Sequence, residues 1–330
     1  MSRYAETFKK PLGAGDARPT AMQIVEDEGL VGGLEDKTFL MTGASAGIGI
    51  ETARALAATG ARVFLGVRSL EKGRQACQEF LQEGRVELFQ IDTGSLASVR
   101  AAAAAVLEKT TKLNVLICNA GIMRVPTREL TEDGFESQLG TNYLGHFLLF
   151  WLLKDALLSA SSPSFNSRLV NVSSAAHHTG QIHFDDFQLA QDGSYDAGKA
   201  YGQSKLAQIY MANYIDRVFG PDQGLHALSL MPGGILTNLQ KHVSDEEKAM
   251  WNSNQDVMNF LKSPAQGAAT TIYAAFSKEW EGKGGSYLED CQEAGHEIVP
   301  WVNGVTKEAF SEEKEDKLWN LTLNILGLDI

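Results

Sequence analysis

From Lys37 onward, six apolar runs alternate with stretches of helical period, and this alternation restricts the fold more than any other feature. The runs are KTFLM, ARVFLGV, VELFQI, LNVLIC, RLVNV and LHALSL. Strands covered on both faces read as continuous apolar runs, not as a polar–apolar alternation. Between them, Ile50, Ala53, Leu56 and Ala57 recur at the spacing of one helix face, as do Leu96, Val99, Ala103 and Val106. Strand and helix in turn predict an α/β fold with a doubly wound parallel sheet.

No linker or repeat interrupts the pattern, so residues 37–330 read as one domain. Residues 1–36 are polar and punctuated by Gly and Pro; they read as an extension that wraps the domain or is partly disordered. The run RAAAAAV, Arg100 to Val106, reads as plain helix because Ala is the best helix former. One segment breaks the alternation. Asn238 to Pro264, after the sixth run, mixes charge with Met250, Trp251, Met258 and Phe260. Its place suits a substrate-covering lid, and a surface helix pair fits the same pattern.

The chain of 330 residues carries a net charge of -12, which argues against nucleic acid or an anionic membrane surface as the main partner. Cys77, Cys118 and Cys291 lie far apart, without metal-ligand spacing. They read as free buried thiols in a reducing compartment. No apolar signal core opens the chain, and no segment reads as long and apolar enough to be transmembrane. A cytoplasmic location is expected, and a homodimer is left open.

KTFLMTGASAGIGIETARAL has the form strand, glycine turn, helix. Gly43, Gly47 and Gly49 stand as G-x3-G-x-G, so backbone amides at a helix N-terminus can approach a pyrophosphate. This makes the sheet Rossmann-type. The stretch TGASAGIG resembles the short-chain dehydrogenase/reductase family, and the family's other marks follow in order. They are CNAG at Cys118–Gly121, Asn142 in GTNYLGHF, NVSSAAH, AYGQSK, and MPGGILT from Met231 to Thr237. VNVSSAAHHTGQIHF and PGGILTNL are most similar to the retinol-dehydrogenase-like branch.

Carbonyl reduction by hydride needs a proton donor, and a free tyrosine with a pKa of about 10 is a poor one near neutral pH. A lysine one helical turn away favours the phenolate. The chain holds that pair twice, as Tyr195 with Lys199 and Tyr201 with Lys205. Gly193 precedes the first pair and Gly198 interrupts it, which makes a stable helical turn there improbable. The second pair leads into an unbroken helical run. Tyr201 is therefore the predicted acid/base, and Tyr195 a loop residue near the pocket mouth. By the resemblance, Ser174 binds the substrate oxygen, Lys205 also holds the nicotinamide ribose, and Asn142 supports a water-linked proton relay. Ser173 competes for the serine role; in the family pattern the second serine aligns. His177 and His178 raise a Ser-His hydrolase reading, but no G-x-S-x-G elbow precedes them, so they read as polar loop residues.

The resemblance assigns the cofactor to Gly43, Ser45, Ala46, Gly47, Ile48 and Gly49, then to Asn119, Ala120 and Gly121, and to Pro232 and Gly233. Asp92 would face the adenine, and Ile235 and Thr237 the carboxamide and diphosphate. Val67 stands where NAD-binding chains carry an acid, and Arg68 follows, which favours NADP(H). The expected protein is an NADP(H)-dependent oxidoreductase acting on a medium-sized, largely apolar alcohol or carbonyl. Its rival is a catalytically silent NADP(H)-binding regulator. An epimerase of the extended type is disfavoured by the glycine spacing.

Overall fold

A computed structural model describes residues 2–300 and 302–329. Its sheet has eight strands: β1 Thr38–Thr42, β2 Arg62–Val67, β3 Val86–Gln90, β4 Val115–Cys118, β5 Ser167–Val172, β6 Leu225–Met231, β7 Tyr287–Glu289 and β8 Gln292–Glu293. They lie in the order β3-β2-β1-β4-β5-β6-β7-β8. Strands β1 to β7 are parallel, and β8 returns antiparallel on β7. The order reverses between β1 and β4, so the crevice for a ligand opens at the carboxyl ends of those two strands.

Strands β1, β2, β4, β5, β6 and β7 each feed two cores by alternation. Leu40, Phe64, Leu116, Leu169 and Ala227 pack on one face, with Val99 and Ala103, Phe147 and Phe150, and Leu206 and Ile209. Those pairs come from the helices Leu96–Leu107, Gly145–Ala160 and Ala197–Gln223. Phe39, Met41, Val63, Leu65, Val170 and Leu230 face the other way, onto Ala53, Leu56, Ile272 and Phe276. Residues 2–36 are folded against this second face. Tyr4, Ile24, Val25 and Leu34 are buried, and the Tyr4 ring meets Tyr273 edge-on at 6.3 Å.

Two expectations need correction. The helical run Ser137–Ala160 is long and apolar enough, by length and composition alone, to cross a membrane. It lies mostly buried in this fold, because a helix covered by a sheet and two neighbouring helices is apolar nearly all round. The second concerns Lys199. Gly198 does not stop the helix: Ala197–Gln223 starts before it, and the Asp196 carboxylate caps the first turn by accepting from the Lys199 amide at 2.8 Å. A good cap outweighs a glycine at the first turn.

Segment 238–264 forms a short turn of helix at Asn238–His242 and two helices, Asp245–Ser253 and Gln255–Phe260. Neither of the two helices buries a single residue.

Candidate active site

A cleft of about 520 Å3 runs along the carboxyl ends of the strands. Its floor is the glycine turn after β1. Gly43 has φ +79°, and a Cβ there would stand 2.8 Å from Asn119 Nδ2. At Gly49 a Cβ would lie 1.9 Å from the Gly43 carbonyl oxygen, so only glycine lets the turn close on itself. That closure brings Ser45, Ala46, Gly47 and Ile48 to the cleft, at the N-terminus of the helix Ile48–Ala58, which no side chain caps.

The loop after β4 is pinned to this turn by Thr42. Its hydroxyl accepts from the Asn119 and Ala120 amides at 3.1 and 3.0 Å and meets His146 Nε2 at 2.8 Å. His146 Nδ1 in turn meets the Asn142 carbonyl at 2.9 Å. With two N–H groups already donating to it, the Thr42 hydroxyl gives its own proton to Nε2, which leaves Nδ1 as the donor. Burial holds this neutral ring down to about pKa 4. Neither Thr42 nor His146 is visible as a functional residue in the sequence. The one signal was that both sit inside motif segments.

Asn142 is fully buried on a π turn, Gly140–Leu144. Its amide donates to the Ile122 carbonyl at 3.0 Å and the Ser204 hydroxyl at 2.9 Å, and its oxygen accepts from the Ile122 amide at 2.9 Å. It does not line the cleft. It braces the wall formed by Gly121, Ile122 and Met123.

Tyr201, Lys205 and Ser174 converge at the cleft. The Tyr201 hydroxyl lies beside the Ser174 side chain, whose oxygen accepts from the Ala176 amide at 3.1 Å. Ser173 is committed elsewhere: it is buried and donates to the Lys205 carbonyl at 2.8 Å. Of the two serines, Ser174 is the one next to the phenol. Lys205 Nζ donates to the Val172 carbonyl at 2.8 Å and to Gln208 Oε1 at 2.9 Å, and lies 5.6 Å from the centre of the Tyr201 ring. Gln208 is a further residue that the sequence reading missed.

The electrostatics differ from the sequence expectation. Burial pushes the Tyr201 phenol up to about 12, opposed by the neighbouring Ser174 hydroxyl, and pushes Lys205 down to about 7. Desolvation outweighs any mutual assistance in the protein alone.

Tyr195 precedes the helix, donates to the Val125 carbonyl at 2.7 Å and accepts from Gln138 at 3.3 Å. It holds a loop and lines no part of the cleft. His177 is buried in a turn of 3-10 helix, with Nδ1 at 2.7 Å from the Ser174 carbonyl, and His178 Nε2 meets the Gly304 carbonyl at 2.8 Å. At the far end Val67, Arg68 and Lys72 line the cleft together, and Lys72 is a second cation there that the sequence reading left out. Asp92 is turned away: its carboxylate accepts from the Gly94 amide at 2.9 Å, while Ile91 and Thr93 beside it reach the cleft. Asn119, Ala120, Gly121, Pro232, Gly233, Ile235 and Thr237 all line it.

A doubly wound sheet with a glycine turn at its switch point, and a buried tyrosine and lysine beside it, defines a dinucleotide-dependent oxidoreductase. Residues 37–248 match the short chain dehydrogenase family model, and the chain belongs to that family. It is 56% identical to short-chain dehydrogenase/reductase prx1 of Penicillium roqueforti, over 99% of this chain and 95% of that one. Oxidoreductase calI of Penicillium decumbens is 40% identical, over 100% and 99%. Human retinol dehydrogenase 11 is 38% identical, over 90% and 88%, in keeping with the likeness to the retinol-dehydrogenase-like branch. Among solved structures, an uncharacterized protein from Mycobacterium paratuberculosis aligns with a TM-score of 0.67 at 30% identity, covering 96% of this chain and 98% of that one.

Proposed function

We propose that the protein is an NADP(H)-dependent oxidoreductase that interconverts a carbonyl and an alcohol on a medium-sized, largely apolar molecule. The observation that carries this reading is the meeting of Tyr201, Ser174 and Lys205 at one wall of the glycine-floored cleft. The residues present fit a dinucleotide. A Cβ at Gly43 or Gly49 would clash with Asn119 or with the Gly43 carbonyl and spoil the tight turn on which a pyrophosphate would rest. Arg68 and Lys72 supply cationic donors for a 2′-phosphate at the other end. When bound, the nicotinamide supplies the hydride.

The protein's part is placement and proton transfer. Ser174 and the Tyr201 hydroxyl, side by side at the cleft, converge to hold a carbonyl oxygen between them. Tyr201 gives its phenolic proton to that oxygen in reduction and takes it back in oxidation. Lys205 uses two donors on Val172 and Gln208, which aims its third into the cleft. Beside a positively charged ring, Tyr201 would give up its proton more readily, and so would Lys205, which burial already makes a stronger acid.

The segment 238–264 acts as the lid of this site. Leu239, Gln240 and Lys241 reach the cleft, and the two helices beyond them lack buried anchors. The relatives called retinol dehydrogenases support a substrate that is apolar and larger than a short alcohol. Three buried free thiols suit a reducing compartment, and the cytoplasm is the proposed location.

Incubating the protein with NADPH and a panel of apolar aldehydes and ketones tests the reading. Cofactor oxidation tied to alcohol formation supports it. Tight NADPH binding with no turnover across the panel would favour a silent regulator.

A further inference from the structure

Arg18 comes from the N-terminal stretch, outside the segment that matches the family, yet its side chain is 2% exposed and carries a full set of acceptors. Nε donates to Asp16 Oδ1 at 2.8 Å. Nη1 donates to the Phe260 carbonyl at 2.8 Å, and Nη2 to those of Leu261 at 2.6 Å, Gly13 at 3.0 Å and Asn259 at 3.4 Å. Three of these carbonyls belong to the last turn of the helix Gln255–Phe260 and its cap, where carbonyls otherwise have no partner within the helix. The Gly13 amide adds a bond to the Asn259 carbonyl at 2.9 Å.

The same root is tied on its other side. The Lys262 amide donates to the Gly234 carbonyl at 2.8 Å, and Lys262 Nζ bonds the Pro232 carbonyl at 3.1 Å and Asp290 at 2.6 Å. Gln266 closes the arrangement: its amide donates to the Asp16 and Arg18 carbonyls, and its oxygen accepts from the Gly15 amide. Further out, ties are few. The helix Asp245–Ser253 reaches the loop after β4 by the Arg124–Glu247 ion pair at 2.7 Å, both partners partly solvent-exposed. Such a pair is worth little and releases easily. One end of the segment is therefore fixed by a buried guanidinium, while its two helices bury no residue of their own.

We propose that Arg18 is a positioning residue for the reaction: it fixes the C-terminal root of the lid, so that the lid closes over the carbonyl in a single register. The proposal rests on reading 238–264 as a lid. A guanidinium is required because its planar fork serves several carbonyls at once, which an ammonium on a flexible stem does not.

The test compares Arg18→Lys and Arg18→Ala with wild type and with a chain whose residues 245–258 are replaced by a short Gly/Ser linker. Three readouts are taken. They are NADPH affinity, the KM and kcat of a carbonyl substrate and, in the chains that keep residue 250, the anisotropy of a fluorophore on Met250→Cys, an exposed site at 62%. Arg18→Lys should raise carbonyl KM about tenfold, the loss expected for charge-assisted bonds, leave NADPH affinity unchanged and lower the probe's anisotropy. Arg18→Lys equal to wild type in KM and anisotropy would overturn the proposal. So would a uniform loss of NADPH affinity and melting temperature with kcat/KM otherwise intact, which marks a merely structural residue. If Arg18→Ala does not fold, Arg18→Lys decides alone. If the linker chain keeps full carbonyl kcat/KM, the lid reading itself falls.

Discussion

The Lys205 ammonium nitrogen sits 5.6 Å from the centre of the Tyr201 ring, and its two bonds run to Val172 and Gln208, not to the phenol. Its influence on Tyr201 is therefore through charge across a short gap in a buried site. Burial raises the phenol to about 12 and lowers the lysine to about 7, favouring the neutral form of both, and a positive charge entering the cleft would favour the phenolate.

Lys205→Met removes the nearest cation from the phenol, so the apparent pKa of the acid/base group should rise. Alcohol oxidation needs the phenolate, and its acidic limb should move to higher pH, with NADPH affinity reduced as well. A pH–rate profile over alcohol oxidation checks this. An unmoved limb would contradict a role for the lysine's charge.

His146 and His177 give the fold an acid sensitivity of predictable sign. Burial holds both at about 4, against an ordinary 6.5. The unfolded chain takes up protons between pH 6.5 and 4 that the folded chain refuses. Stability should be full above 6.5 and fall as pH drops, by on the order of 3 kcal/mol per ring once fully developed. Denaturant midpoints measured from pH 7 to 4 should show the fall, and His146→Gln should flatten part of it. Equal pH dependence in that variant would mean the ring is not held neutral.

Val67 is buried, and a Cβ on Gly73 would stand 2.9 Å from its methyl, so an aspartate at 67 would place a charge in the core. The cofactor choice is better probed at the two cations. Arg68→Gln with Lys72→Gln should weaken NADPH by roughly ten- to a hundredfold, the worth of charge-assisted bonds of about 1.5–3 kcal/mol, and leave NADH nearly unchanged. Fluorescence titration of both cofactors measures it. Wild type binding NADH as tightly as NADPH would remove the preference.

The six apolar strands and the glycine turn were legible because continuous apolar runs, five of them buried with β3 half-buried at the sheet edge, and φ > 0 leave residue-level marks. β7 and β8 were not, since three and two residues carry no period, and their turn uses Asp290 and Cys291 at positive φ in place of the usual glycine. At the site, Tyr201 over Tyr195 was readable, although Gly193 and Gly198 were the wrong grounds for discounting Lys199's helix. What separates the tyrosines is that Tyr195 stands before the Asp196 cap and turns to Val125. Thr42, His146 and Gln208 were hidden because their partners lie 77, 104 and 3 residues away, on contacts only the fold creates or on a helix turn with no motif. Arg18 was hidden for the same reason, with its main partners more than 240 residues off.

The most direct test of the central claim follows deuterium from 4-deuterated NADPH into the alcohol formed from an apolar carbonyl, in wild type, Tyr195→Phe and Tyr201→Phe. Each tyrosine variant loses one hydroxyl and almost no volume. Wild type and Tyr195→Phe should transfer the label at similar rates, the latter losing about 1 kcal/mol of stability with its bond to Val125. Tyr201→Phe should bind NADPH as tightly as wild type and transfer no label. Label transfer by Tyr201→Phe at the wild-type rate would contradict the account.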